Sequence, residues 1–239
     1  MDNMYDAATY GERVAGVYDE WYDSVEETAI TTLVNLARNG RVLELGIGTG
    51  RFALPLKEKG IDIYGIDASE SMVFRLRAKS GGGSIPVTIG NFADVEIEGK
   101  FSLIFVVFNT FFGLLSQEEQ VRCFQNVSKH LDTKGVFLIE AFIPDLTRFN
   151  KGQCVRATTV STDQVKLEIS CHDIAQQQVT SQHVVMTEHG TQLFPIQIRY
   201  AWPAELDLMA QLAGMRLRSR WGGWRREPFT SQSKKHISV

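Results

Sequence analysis

The chain has 239 residues, 44% of them apolar and 22% charged, a balance that fits one large globular domain or a domain with an insertion. No apolar run approaches the ~20 residues of a membrane helix, and the acidic start from Met1 to Asp6 has nothing of a secretory signal. The net charge of −3 is polarised, with eight acids against Arg13 in residues 1–30 and seven basic residues against Glu227 in 216–239; this pattern speaks against wholesale nucleic-acid binding and suits two ends that meet. Cys123, Cys154 and Cys171 lie far apart without paired or zinc-like spacing, so a cytoplasmic chain with reduced thiols and no metal is expected.

The first regular element is a helix over 26–38, with apolar residues at helical spacing and Gly40 as its stop. Arg41 to Gly46 reads as a buried strand, ended by the alternate glycines Gly46, Gly48 and Gly50. A turn without Cβ atoms lets backbone N–H groups come close to a ligand. A helix over about 50–59 and a strand over 61–67 follow, the strand closing on Asp67. A carboxylate there suits a ribose diol, because it accepts from both hydroxyls. The two features together point to a nucleoside-containing cofactor.

A dinucleotide needs G-x-G-x-x-G, so that its pyrophosphate sits on a helix N-terminus. Arg51 stands where that third glycine belongs, which argues against a nicotinamide-dependent oxidoreductase. Glu44, two residues before the first glycine, would repel a pyrophosphate and attract a cation. S-adenosylmethionine carries an ammonium and a sulfonium and no phosphate. The run from Glu44 to Gly50, with Asp67 after it, resembles the first motif of the class I S-adenosylmethionine-dependent methyltransferases. The resemblance implies that Glu44 positions the methionine ammonium, that Gly46 and Gly48 admit the methionine part, and that Asp67 holds the ribose. Ala68, Met72 and Phe108 would complete the cofactor contacts.

Helix 69–79, the flexible connection Gly81–Ser84 and a strand over 85–90 come next. By the same resemblance Asn91 and Phe92 form the adenine turn, although many members carry aspartate at the Asn91 position; the amide oxygen still accepts. The run 102–108 is continuously apolar, as a strand covered on both faces should be, and it ends in Asn109 and Thr110 at the carboxyl edge where such sheets bind ligands. Ser116 and Glu119 make a capping box for a helix to about Leu131, and Val136–Phe142 is a fifth strand. Residues 153–202 alternate without helical spacing and read as an antiparallel meander of three or four strands. Pro203 opens a helix over Ala204–Ala213, stopped by Gly214. Met215 to Trp221 alternates strictly as a strand, with 235–239 as its hairpin partner.

This alternation predicts an α/β fold. With the resemblance it becomes a doubly wound, mostly parallel, Rossmann-like seven-stranded sheet with an antiparallel β insertion. The expected division is a lid segment over 1–25, a core over 26–150 and 203–239, and an acceptor-side insertion over 151–202. Its layout is similar to that of methyltransferases acting on amino-deoxysugar nucleotides. Tyr18 and Tyr22 are candidates to close over the cofactor, since aromatic faces stabilise a sulfonium; they serve equally well as packing for an N-terminal helix. Trp21, Asn109, Phe111, Phe112, Arg199 and Tyr200 are candidates for the acceptor side, with Phe111 and Phe112 open to a core role. His172, His183 and His189 are candidate bases, and their spacing fits no metal motif. No catalytic signature stands out, because transfer from an activated sulfonium mainly needs alignment and exclusion of water. The expected reaction is methyl transfer to a small molecule at nitrogen or oxygen. An RNA or protein methyltransferase using the basic end, and a cofactor-binding protein without catalysis, stay open, as does oligomeric state.

Overall fold

The computed structural model describes residues 5–94 and 97–239; residues 1–4 of the expected lid segment lie outside them. Two short helices, α1 (Thr9–Val14) and α2 (Tyr18–Trp21), precede α3 (Glu27–Ala37). Strands and helices then alternate through β1 (Val42–Leu45), α4 (Ala53–Glu58), β2 (Ile63–Asp67), α5 (Glu70–Ala78), β3 (Val87–Ile89), β4 (Phe101–Val106), α6 (Gln117–His130) and β5 (Leu131–Phe142). Ser69 caps α5 by accepting from the Met72 N–H at 3.1 Å, and Ser116 with Glu119 forms the full capping box of α6. β1 and β4 are buried at every position, as strands with helices on both faces should be.

The meander consists of β6 (Gln153–Val160), β7 (Gln164–Asp173), β8 (Gln178–Thr187) and β9 (Gly190–Arg199), all antiparallel. After it come α7 (Pro203–Leu212), β10 (Arg220–Trp221) and β11 (Lys235–Ser238). The main sheet runs β10-β11-β5-β4-β1-β2-β3. The five strands from β5 to β3 are parallel, and β11 and β10 are antiparallel additions at the other edge. Chain order reverses between β1 and β4, and the crevice outside the carboxyl ends at such a switch point is where open α/β sheets take ligands.

The stretch 215–221 departs from its alternating pattern. Only Arg220 and Trp221 pair with β11 as a strand. Arg218 and Ser219 instead both donate their N–H groups to the Val239 carbonyl. Arg220 is held by Asp207 at 2.5 Å, while Arg216 and Arg218 stay exposed. The acidic and basic ends meet at one ion pair among the described residues, Glu26 with Lys235 at 3.8 Å.

Candidate active site

A cavity of about 580 Å³ opens at the carboxyl ends of β1, β2, β3, β4 and β5. The meander's inner face and the N-terminal segment close it. The turn after β1 borders it with Gly46 (φ +72°) and Gly48 (φ +56°), and Gly50 (φ +82°) completes the turn. All three sit in left-handed backbone, where only glycine is unstrained. A Cβ at Gly46 would strike Thr110 Cγ2 at 2.4 Å, whereas one at Gly48 would meet no atom within 4 Å and would jut into open space. The first glycine thus permits packing, and the second leaves room for a ligand.

Two carboxylates flank this turn. Asp67 accepts from the N–H groups of Gly48 (2.7 Å) and Ser69 (2.8 Å), so each of its oxygens retains a lone pair. Burial raises its carboxyl above the usual range, and those N–H donors offset part of the rise. Glu44 is buried behind the turn and does not itself border the cavity, and one of its oxygens has no hydrogen-bond partner among the described residues. Burial pushes its carboxyl well up, with the Arg51 guanidinium opposing that and Asp67 adding to it. A buried carboxylate without a donor is costly, and a ligand ammonium is the kind of group that would relieve it. This pair of carboxylate acceptors, with the open space at Gly48, fits S-adenosylmethionine.

Tyr18, Tyr22, Ala68, Met72, Asn91, Phe92 and Phe108 border the same cavity. Asn91 already accepts from the Ala93 N–H at 2.9 Å and donates to Glu119 at 3.2 Å, leaving its oxygen one free lone pair. Tyr22 packs against Tyr18 (5.0 Å between ring centroids) and Phe108 (4.9 Å). Arg51 lies over the Phe108 ring at 3.9 Å. The residue in the third-glycine position therefore joins the aromatic cluster and faces Glu44.

The acids of the N-terminal segment act as latches. Glu12 accepts from Ser69 Oγ (2.6 Å) and from the Ser71 N–H (3.0 Å) at the start of α5. Asp19 accepts from Thr49 Oγ1 (2.6 Å) and pairs with Lys79 (2.8 Å). These bonds hold Tyr10, Tyr18 and Tyr22 against the cavity.

The strand β4 runs into Phe108 (φ +58°) and Asn109 (φ +66°), two left-handed residues that are not glycine. Such backbone is strained and persists only where its surroundings enforce it. Glu140 does so: its Oε2 accepts from the Phe108 N–H at 3.1 Å and its carbonyl from the Asn109 N–H at 3.2 Å. Asn109 Oδ1 in turn accepts from the Phe142 N–H at 2.7 Å. Asn109 therefore both borders the cavity and ties β4 to β5.

In the meander, paired strands place Glu168 opposite His183 and Ser170 opposite Ser181. Glu168 is gripped by Arg148 and by Arg156 (2.7 Å). Burial alone would raise its carboxyl, but the two guanidiniums hold it below the usual range. Tyr200 borders the cavity, and its hydroxyl bonds His172 Nε2 at 2.9 Å.

Four acceptor-side expectations are corrected. Phe111 and Phe112 are 0% exposed; the 3₁₀ turn after Asn109 rolls them inward, and Phe112 meets Phe142 edge-on. Arg199 is also buried, donating to Gln120 (2.6 Å) and pairing with Glu205 (2.7 Å), so it ties β9 to α6 and α7. Trp21 does not border the cavity; it packs edge-on against Phe194 at 4.8 Å and anchors α2 to the meander.

Comparison with known proteins agrees with this architecture. Residues 42–135 match the family model described as a methyltransferase domain. The cypemycin N-terminal methyltransferase of a Streptomyces species is 28% identical over 243 residues, covering 99% of this chain and 98% of that one. The CcbJ methyltransferase of Streptomyces caelestis superposes with a TM-score of 0.91 at 38% identity, with 98% of each chain covered. An S-adenosylmethionine-dependent methyltransferase from Clostridium acetobutylicum shares the fold, with a TM-score of 0.80 at 14% identity over 94% of this chain and 95% of that one. With a switch-point cavity, a glycine turn between two carboxylates and full-length likeness to such enzymes, the chain belongs to the class I S-adenosylmethionine-dependent methyltransferases.

Proposed function

We propose that this enzyme methylates the nitrogen of a small, polar amine. The observation that carries the reading is the acceptor wall itself. Glu168, Ser181 and His183 form a polar patch on two neighbouring strands, facing a chamber that is also bordered by Tyr10, Phe142, Phe149, Ile196, Arg148 and Gln197. Such a wall offers hydrogen bonds to a hydroxylated or amino-bearing acceptor and little to an extended apolar one. The similarity over nearly its whole length to a protein named as an N-terminal methyltransferase supports nitrogen over oxygen.

In this reading residues 1–25 are the lid, 26–150 with 203–239 the cofactor-binding core, and 151–202 the acceptor side. Asp67 holds the ribose hydroxyls, Glu44 the methionine ammonium, and Asn91 with Phe92 the adenine. Bound cofactor supplies a methyl group activated by its sulfonium. The residues align the amine with it and exclude water.

Two experiments test this. Radiolabelled methyl transfer to amino sugars, free peptide N-termini and cyclic secondary amines should succeed, while the corresponding hydroxyl compounds stay unlabelled. Labelling of the hydroxyl compounds alone would overturn the nitrogen assignment. Separately, Asp67→Ala should weaken S-adenosylhomocysteine binding in calorimetry by about 1–3 kcal/mol, the range for lost charge-assisted hydrogen bonds. Wild-type affinity in that variant would remove Asp67 from the site.

A further inference from the structure

An amine at neutral pH is mostly an ammonium, since an α-amino group titrates at about 7.7–8.0. Its nitrogen has no lone pair until a proton leaves, so a proton acceptor in the chamber gives methylation a direct advantage. Most titratable groups there are ill suited to that role. Burial pushes the hydroxyls of Tyr10 and Tyr22 up, so they stay protonated. Glu168 is held low by its two guanidiniums and is a weak base. Asp145, at the mouth, is held low by hydrogen bonds from Thr147. Asp67 sits on the cofactor side with both oxygens already accepting N–H groups.

His183 differs from all of these. It lies on the inner face of β8 and borders the cavity, half-buried. Its ring is 6.3 Å from that of Trp21, and its nitrogens make no hydrogen bond to another described residue. The charged groups acting on it are Glu168 on β7 and Arg156 on β6, while the Lys166 ammonium lies over the neighbouring Trp21 ring at 5.2 Å. The other four histidines are engaged or elsewhere: His172 bonds Tyr200, His130 bonds the Asn126 carbonyl on α6, His236 is buried outside the cavity, and His189 sits exposed at the β8–β9 hairpin.

We propose that His183 is the proton acceptor for the amine substrate. Its neutral imidazole takes a proton from the ammonium, and the freed lone pair forms the N–C bond to the methyl carbon. The C–S bond breaks with its electron pair left on sulfur, giving S-adenosylhomocysteine, and the imidazolium passes its proton to water. This rests on the amine reading above.

Desolvation first, and then Arg156, keep His183 below its ordinary value of 6.5, with Glu168 opposing them. The imidazole is therefore neutral at pH 7 and becomes charged as pH falls. Activity with the best amine of the panel should drop on the acid side as pH passes through the His183 value. His183→Gln should lower kcat by about 10²–10⁴-fold, the range for a general base, and remove that acid limb. It should leave S-adenosylhomocysteine affinity at the wild-type level, with His189→Gln unchanged in every respect. Ring NMR of the wild-type enzyme is an independent readout and should show His183 neutral at pH 7. Wild-type kcat and pH profile in His183→Gln, or a His183 ring charged at pH 7, would overturn the proposal. Should His183→Gln not fold, His183→Asn takes its place. A wild-type enzyme that labels no amine brings down the amine reading and this proposal with it; an active wild type matched by His183→Gln brings down this proposal alone.

Discussion

Glu140→Leu should destabilise the protein by about 3–5 kcal/mol, since three donors lose one buried acceptor at about 1–3 kcal/mol each. At roughly 2–4 °C per kcal/mol for a chain of this size, the melting temperature should fall by about 6–20 °C. Glu140 is 7% exposed and serves three donors. Its carboxylate accepts from Trp224 Nε1 at 3.1 Å, from the Lys235 ammonium at 2.8 Å and from the Phe108 N–H at 3.1 Å. Leucine fills similar volume and accepts from none of them, so the Trp224 and Phe108 N–H groups lose their acceptor and the Lys235 ammonium keeps only Glu26. The functional consequence follows from the third donor. Phe108 and Asn109 hold left-handed backbone while that anchor is present, and both border the cavity. Affinity for S-adenosylhomocysteine should therefore fall in the folded variant as well. Glu140→Gln, which keeps one acceptor oxygen, should lose less of both. A Glu140→Leu melting temperature within about 2 °C of wild type would show that the three bonds add little to stability.

Glu140 also shows what the sequence left unreadable. The cofactor half of the site is written locally: the glycine turn needs no partner outside residues 44–50 to be recognised, and Asp67 is placed by the strand that ends on it. The α/β sheet was legible for the same reason, because continuous apolar strands and capped helices are properties of single segments. Glu140, by contrast, sits inside an apolar strand, and its donors lie 32, 84 and 95 residues away. No periodicity reports such a meeting. Tyr10 and Glu12 were hidden in the same way, since the N-terminal segment finds its position through the hydroxyls of α5. The acceptor wall is an intermediate case. Glu168, Ser170 and His172 alternate along β7, which signals one polar inner face. That Ser181 and His183 stand opposite on β8 depends on a register the sequence alone does not fix. Arg199 and Trp21 were misplaced because a charged or aromatic residue near an inferred site reads the same whether it faces ligand or a neighbouring element.

Phe111 and Phe112 carry that ambiguity to its sharpest form, and one substitution separates the readings. Phe112→Ala should cost about 3–5 kcal/mol of stability, as for a fully buried phenyl ring, and roughly 6–20 °C in melting temperature. The ring is wholly enclosed and meets Phe142 at 5.0 Å and Phe111 at 6.5 Å. Phe111 continues the chain of edge-on contacts to Phe124 at 5.5 Å, and Phe124 to Phe137 at 5.3 Å, so the aromatic row runs from the cavity wall to α6 and β5. Removing one ring from such a row leaves a void that its close-packed neighbours fill only in part. Phe142 alone of these five borders the cavity, so the loss should register in folding and not in acceptor recognition. Measured well below its melting point, Phe112→Ala should bind S-adenosylhomocysteine as the wild type does and keep its KM for the amine. A variant that melts normally but shows a raised KM would return Phe112 to the acceptor pocket. That outcome would mean the turn after Asn109 opens when substrate binds, and the strained pair Phe108 and Asn109 would then be its hinge.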